Sequence, residues 1–89
     1  MKAVVFYRSA ADVLIRAPVH FPAHKARVDE FARRGELIAV GTWADPRDGS
    51  MAIFRTRAAA EAFVEGDPFV KNGVVASYDI TDWNEALLG

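Results

Sequence analysis

Glu36–Arg55, ELIAVGTWADPRDGSMAIFR, lies in the middle of an 89-residue chain, and its reading decides how everything around it is arranged. Glu36–Trp43 and Ser50–Arg55 are short apolar runs bounded by turn residues. ADPRDG, rich in Asp, Pro and Gly, sits between them. Two strands joined by a turn are the direct interpretation. In both runs the residues of either parity are apolar, so neither face of this hairpin reads as a solvated one.

Working outward, Pro22–Arg34 reads as a helix, with proline at its start, Arg33 and Arg34 in its last turn and Gly35 as the stop. Upstream, Ser9–Phe21 reads as a loop or short turn, and Lys2–Arg8, KAVVFYR, as a strand apolar on both alternating faces. Downstream, Thr56 can cap a second helix running through Glu65, with Ala59, Ala62 and Phe63 as its inward stripe. Val74–Asp82 reads as the last strand, and the tail WNEALLG is expected to pack back on the body. The order βαββαβ implies an α+β, ferredoxin-like fold: a four-stranded antiparallel sheet with both helices on one face. The uncovered face would then be an apolar patch of the kind that marks interfaces. A homodimer joined through the helix-free sheet face is the expected solution, and a monomer covered by its own tail is the alternative.

Composition narrows the function classes. The chain has room for one small domain, 1–89, and its hydrophobic fraction of 52% slightly exceeds the ~45–50% usual for soluble domains. No apolar run approaches the ~18 residues of a membrane span, and MKAVVFYR reads as a strand, not a signal peptide. The absence of cysteine rules out disulfides and thiol chemistry, consistent with a reducing cytoplasm. A net charge of −1 gives no electrostatic footprint for nucleic acid. The expectation is a cytoplasmic protein with a small-molecule ligand, no nucleic acid or membrane partner and no cofactor.

The residues that could carry chemistry lie on the two helices. His24, Val28 and Phe31 fall at i, i+4 and i+7 and form one buried stripe, opposite Lys25, Asp29, Glu30 and Arg33. A buried imidazole needs partners, because an unpaired buried polar group costs roughly 1–3 kcal/mol. In Glu65–Gly73, EGDPFVKNG, the second helix is stopped by glycine and again by proline, with Asp67 between the two stops. A carboxylate is a suitable partner for the histidine, since it fixes the tautomer and stabilises the charged form. From the residues alone, the pair could equally be a satisfied core histidine and a turn-forming Asp-Pro.

FPAHKARVDEFARRGELIAVG (21–41) followed by EAFVEGDPFVKNGVV (61–75) resembles the YciI-like (YCII-related) family. The match lies in His24, Gly35 eleven residues later, Gly41 after the second strand, then Asp67-Pro68-Phe69 and Gly73, with Arg16 at the arginine upstream of the histidine. The resemblance implies a dimeric α+β barrel-like assembly with a His24–Asp67 active site. One activity known in the family is a dehydrochlorinase of chloroaromatic breakdown. Phe21 stands where the family often has arginine, Thr42 replaces a proline after Gly41, and Lys25 replaces a common leucine. These departures touch the substrate more than the dyad. They imply a flatter, aromatic pocket walled by Phe21, Trp43 and Phe69, near Gly41.

No serine or cysteine stands in a nucleophile motif, and no glycine loop is built for phosphate. General acid–base chemistry on a small cyclic or aromatic compound, of isomerase, lyase or dehydrohalogenase type, is therefore the expected activity. His24 and Asp67 are its expected catalytic residues, and Arg16, Phe21, Gly41, Trp43 and Phe69 its substrate-binding ones. A non-catalytic ligand-binding or partner-binding dimer is the alternative. A dimeric α+β barrel of monooxygenase-like or stress-responsive type shares the topology but does not require the Asp-Pro-Phe segment. His20 and His24 have metal-ligand spacing, but a helix starting at Pro22 would take His20 out of register, so no metal is expected.

Overall fold

The structure is a computed structural model that describes residues 1–86. Its elements are β1 (Lys2–Ser9), α1 (Val13–Arg33), β2 (Leu37–Thr42), a 3-10 turn (Pro46–Asp48), β3 (Ser50–Phe54), α2 (Arg57–Gly66), a one-turn α3 (Pro68–Lys71) and β4 (Val75–Trp83). The strands form one antiparallel sheet in the order β2-β3-β1-β4, which is the expected ferredoxin-like arrangement.

Register fixes which side chains meet the helices. Ala3 pairs with Phe54, Val5 with Ala52, and Tyr7 with Ser50. Ala3, Val5, Tyr7, Ala52 and Phe54 make one core with Phe31 of α1 and Phe63 of α2. Phe31, Phe54 and Phe63 pack mutually, with ring centroids 5.2–6.5 Å apart, the spacing aromatic pairs favour. On the opposite face β1 and β3 present Val4 against Ile53 and Phe6 against Met51. There β4 offers Ser77, Asp79 and Thr81, and Arg8 pairs with Asp79. The helix-free face is thus apolar along its middle strands and polar along β4.

Three expectations are corrected. The segment expected as a loop is helical from Val13, and α1 runs through both Pro18 and Pro22. These prolines lie one turn apart on the exposed side. The carbonyls they leave without amide partners, those of Leu14 and Pro18, therefore face water, which spares most of the usual penalty. The long helix also leaves Leu14, Ile15 and Val19 on the surface, at 60%, 78% and 71% exposure, an apolar ridge hidden from a loop reading.

Within α2, Thr56 caps as expected by accepting from Ala59 N–H at 3.1 Å. Ala62, however, is exposed, and Ala60 and Val64 join Ala59 and Phe63 in the buried stripe. On the outer side of α1 the ion pairs are Lys25–Asp29 and Glu30–Arg34, whereas i, i+4 spacing in the sequence predicts Lys25–Asp29 and Asp29–Arg33. Of the tail, Glu85 pairs with Lys2, while residues 87–89 lie outside the described residues.

Gly49 closes the β2–β3 connection with φ 109°, a left-handed conformation that side chains resist. A methyl group there would overlap the Tyr7 carbonyl oxygen, because the turn presses against β1. Gly41 has open space around it. Gly49→Ala should therefore cost more than about 2 kcal/mol of stability in urea unfolding. Gly41→Ala should stay within about 0.5 kcal/mol of the parent protein.

Candidate functional site

Asp67 is the only fully buried charged residue among those described, and its neighbours come from three elements. Its Oδ1 lies 2.7 Å from His24 Nδ1 of α1 and accepts the Phe69 backbone N–H at 3.0 Å. Its Oδ2 accepts the Tyr7 hydroxyl of β1 at 2.7 Å. The Phe69 amide and the Tyr7 hydroxyl donate to this carboxyl group, and His24 Nδ1 is a third donor in the tautomer that carries its proton there. Local sequence explains the placement. Gly66 ends α2, Pro68 starts α3 with a fixed φ, and Asp67 between them caps α3.

Arg27 locks the junction from α1. Its guanidinium donates to the carbonyls of Phe63 at 3.1 Å and Ala62 at 2.7 Å, satisfying the end of α2. A side chain at position 66 would occupy the space of that guanidinium and would have to displace it from this dock.

His24 is held on several sides. Phe69 stacks on the imidazole at 3.8 Å with planes 3° apart, and Phe63 meets it edge-on at 6.3 Å. Phe21 lies 6.3 Å away. With Nδ1 bound to Asp67, Nε2 is the nitrogen left for the cavity that His24 lines. That cavity, about 370 Å³, lies between α1 and the helix-facing side of β1–β3, with a wall dominated by apolar side chains such as Val5, Val28, Val40, Ala52 and Phe54.

The structure brings together most of the residues expected at the site. His24, Phe21, Gly41 and Phe69 line the cavity, and Asp67 stands directly behind His24. Arg16 and Trp43 are not in the lining. The Arg16 guanidinium instead grips Asp12, with contacts of 2.7–3.2 Å, and reaches the Asn72 carbonyl at 3.5 Å. This bond holds the Asp12 carboxyl below its ordinary range. Trp43 is 42% exposed.

The helical register of His20 is also corrected. It sits on α1 one turn before His24, so the spacing argument raised against a metal does not hold. Even so, no three His, Cys, Asp or Glu side chains converge among the described residues.

Tyr7 lies within the apolar strand KAVVFYR and is the site residue that sequence reasoning missed. Its alternation with Ala3 and Val5 shows that it points inward, but nothing in the sequence shows that its hydroxyl ends on Asp67.

The YCII-related domain family matches residues 1–84. The chain belongs to that family. No curated protein matches it. Among solved structures, the fold is similar to that of 5-chloro-2-hydroxyhydroquinone dehydrochlorinase (TftG) from Burkholderia phenoliruptrix AC1100, in complex with 2,5-dihydroxybenzoquinone. The TM-score is 0.74 at 22% identity, over 97% of this chain and 96% of that one. It is also similar to MtbAldR, with a TM-score of 0.57 at 13% identity, over 99% of this chain but 56% of that one. Both likenesses concern the fold. No helix among the described residues of this YCII-related chain is long and apolar enough to cross a membrane.

Burial pushes the Tyr7 phenol well above its ordinary range, and the adjacent Asp67 charge and hydrogen bond push it further. A group whose pKa is raised by folding stabilises the protein fully below its unfolded value and loses that contribution as pH rises above it. Stability should therefore fall above about pH 10, approaching roughly 1.4 kcal/mol per pH unit from this group. Tyr7→Phe should flatten that alkaline slope in denaturant titrations. Absorbance titration of the folded protein should show Tyr7 staying un-ionised at a pH where the same residue ionises in the unfolded chain.

Proposed function

We propose that the protein is an acid–base catalyst of isomerase, lyase or dehydrohalogenase type acting on a small cyclic or aromatic compound. The observation that carries this reading is the 2.7 Å contact of His24 Nδ1 with a fully buried carboxylate, at the wall of an apolar cavity large enough for a single ring. A carboxylate behind an imidazole fixes which nitrogen carries the proton and stabilises the imidazolium as it forms. Nε2 would take a proton from a carbon or hydroxyl of the bound ring. In a dehydrohalogenation, the electrons of the broken C–H bond become the new double bond and the halide departs with its own pair. Membership of the YCII-related family and the dehydrochlorinase activity in the name of the similar structure support this class of reaction.

Phe21 and Phe69 would serve as walls for a flat ligand, and Gly41 would keep the sheet side of the cavity open. The cations near His24 are already engaged: Lys25 pairs with Asp29, Arg16 with Asp12, and Arg27 donates to the carbonyls of Ala62 and Phe63. A ligand whose polar groups are hydroxyls or carbonyls therefore suits the cavity better than one with a strong anionic end. We also propose a cytoplasmic homodimer joined through the helix-free face, supported by Val4, Phe6, Met51 and Ile53 lying side by side there. Sedimentation at micromolar concentration should give the mass of a dimer, and a well-folded monomer would rule that assembly out.

His24→Asn tests the chemistry. The amide can occupy the position of Nδ1 and still donate to Asp67, but it cannot shuttle a proton. In a screen of halogenated and hydroxylated aromatic compounds, turnover by the parent protein should drop by roughly 10²–10⁴-fold in this variant. Binding that persists equally in both proteins, with turnover in neither, would identify a ligand-binding module instead.

A further inference from the structure

The two oxygens of Asp67 have different duties. Oδ1 faces the imidazole, while Oδ2 takes the Tyr7 hydroxyl. Tyr7 is itself buried and lines the same cavity, so no bulk water competes for that bond. The phenol donates to Oδ2, and hydrogen bonds of this length to a carboxylate are among the stronger ones. A carboxylate has one negative charge to share among its donors, so what the phenol draws to Oδ2 is withdrawn from Oδ1.

From this geometry we infer that Tyr7 is a positioning residue of the site, setting through Asp67 how firmly the Nδ1–H of His24 is held and how basic Nε2 is toward a ligand. The inference deepens the reading of His24 as the proton-transfer group, and its catalytic meaning rests on that reading. The remaining contacts to the pair cannot provide this control. The Phe69 N–H is fixed by the cap of α3, and the rings of Phe63 and Phe69 constrain the imidazole's orientation without touching the carboxylate's charge. A residue that merely filled the core would need a partner for its hydroxyl, but changing it would leave the histidine's electronic state alone.

The decisive measurement is the nitrogen-15 and Nδ1-proton shifts of His24 in the full-length, ligand-free protein, assigned with the help of His20→Gln. Tyr7→Phe removes the competing donor, so the His24–Asp67 bond strengthens and its proton moves downfield. Replacing Tyr7 with 3-fluorotyrosine in a Tyr78→Phe background makes the phenol a better donor, and the same proton should move upfield. The fluorinated protein differs at position 7 by one atom, so it keeps the test sharp even if Tyr7→Phe folds poorly. Shifts of opposite sign establish the control. Unchanged shifts, or shifts of the same sign, overturn it. Because these spectra need no substrate, they judge Tyr7 separately from the turnover screen that judges the acid–base reading. With a substrate in hand, Tyr7→Phe should change kcat by about tenfold and leave KM nearly unchanged, the pattern of a group that acts on the transition state.

Discussion

A carboxylate removed entirely from water must be satisfied by the protein, and much of this fold is arranged around doing so for Asp67. The penalty for a buried charge without partners is far larger than the stability of so small a domain. Here β1, α1 and α3 each contribute one hydrogen-bond partner, and no buried polar side-chain atom among the described residues is left unpartnered. The same three bonds fix the distance between the sheet and α1 at one end of the molecule. The other end of α1 is set by Phe31 packing on Phe54 and Phe63. The cavity runs along α1 from Val13 to Asp29, on both sides of the His24 anchor.

This arrangement divides the burden of stability from that of function. The aromatic core and strand register can hold the sheet without the polar cluster, since they bury apolar area on their own. The polar cluster adds little net stability, because desolvation offsets most of what a buried ionic contact returns. What it does provide is a single orientation for the imidazole, reinforced by the parallel stack of Phe69 and by Arg27 holding the end of α2 against α1. Orientation is the property a proton-transfer group needs and a hydrophobic replacement could not supply.

The parts of the molecule legible in the sequence are those with local signatures. Alternating apolar strands, the ADPRDG turn, the Thr56 cap and the glycine stop after Arg34 each follow from backbone chemistry within a few residues, and they suffice for the topology. The meeting of His24 with Asp67 was legible for a different reason, since their motifs resemble a family's. The first half of α1 was not legible, because proline is judged as a helix breaker unless one knows that Pro18 and Pro22 share a water-facing side. Tyr7 was not legible either. Period-2 alternation says which way a strand residue points, but its hydrogen-bond partner lies sixty positions away, and only the assembled register brings the two together.

That register also explains why a tyrosine is suited to position 7. Tyr7 stands opposite Ser50 on one side and Tyr78 on the other, beside the close approach of Gly49 to the β1 backbone. With no side chain at 49, the turn lies close against the β1 backbone at Tyr7, and the strand so held delivers the phenol oxygen to Asp67 at 2.7 Å. A looser strand would let that distance vary, and with it the share of charge left for His24. The glycine at the hairpin and the histidine across the core are thus linked through one strand, although they share no contact.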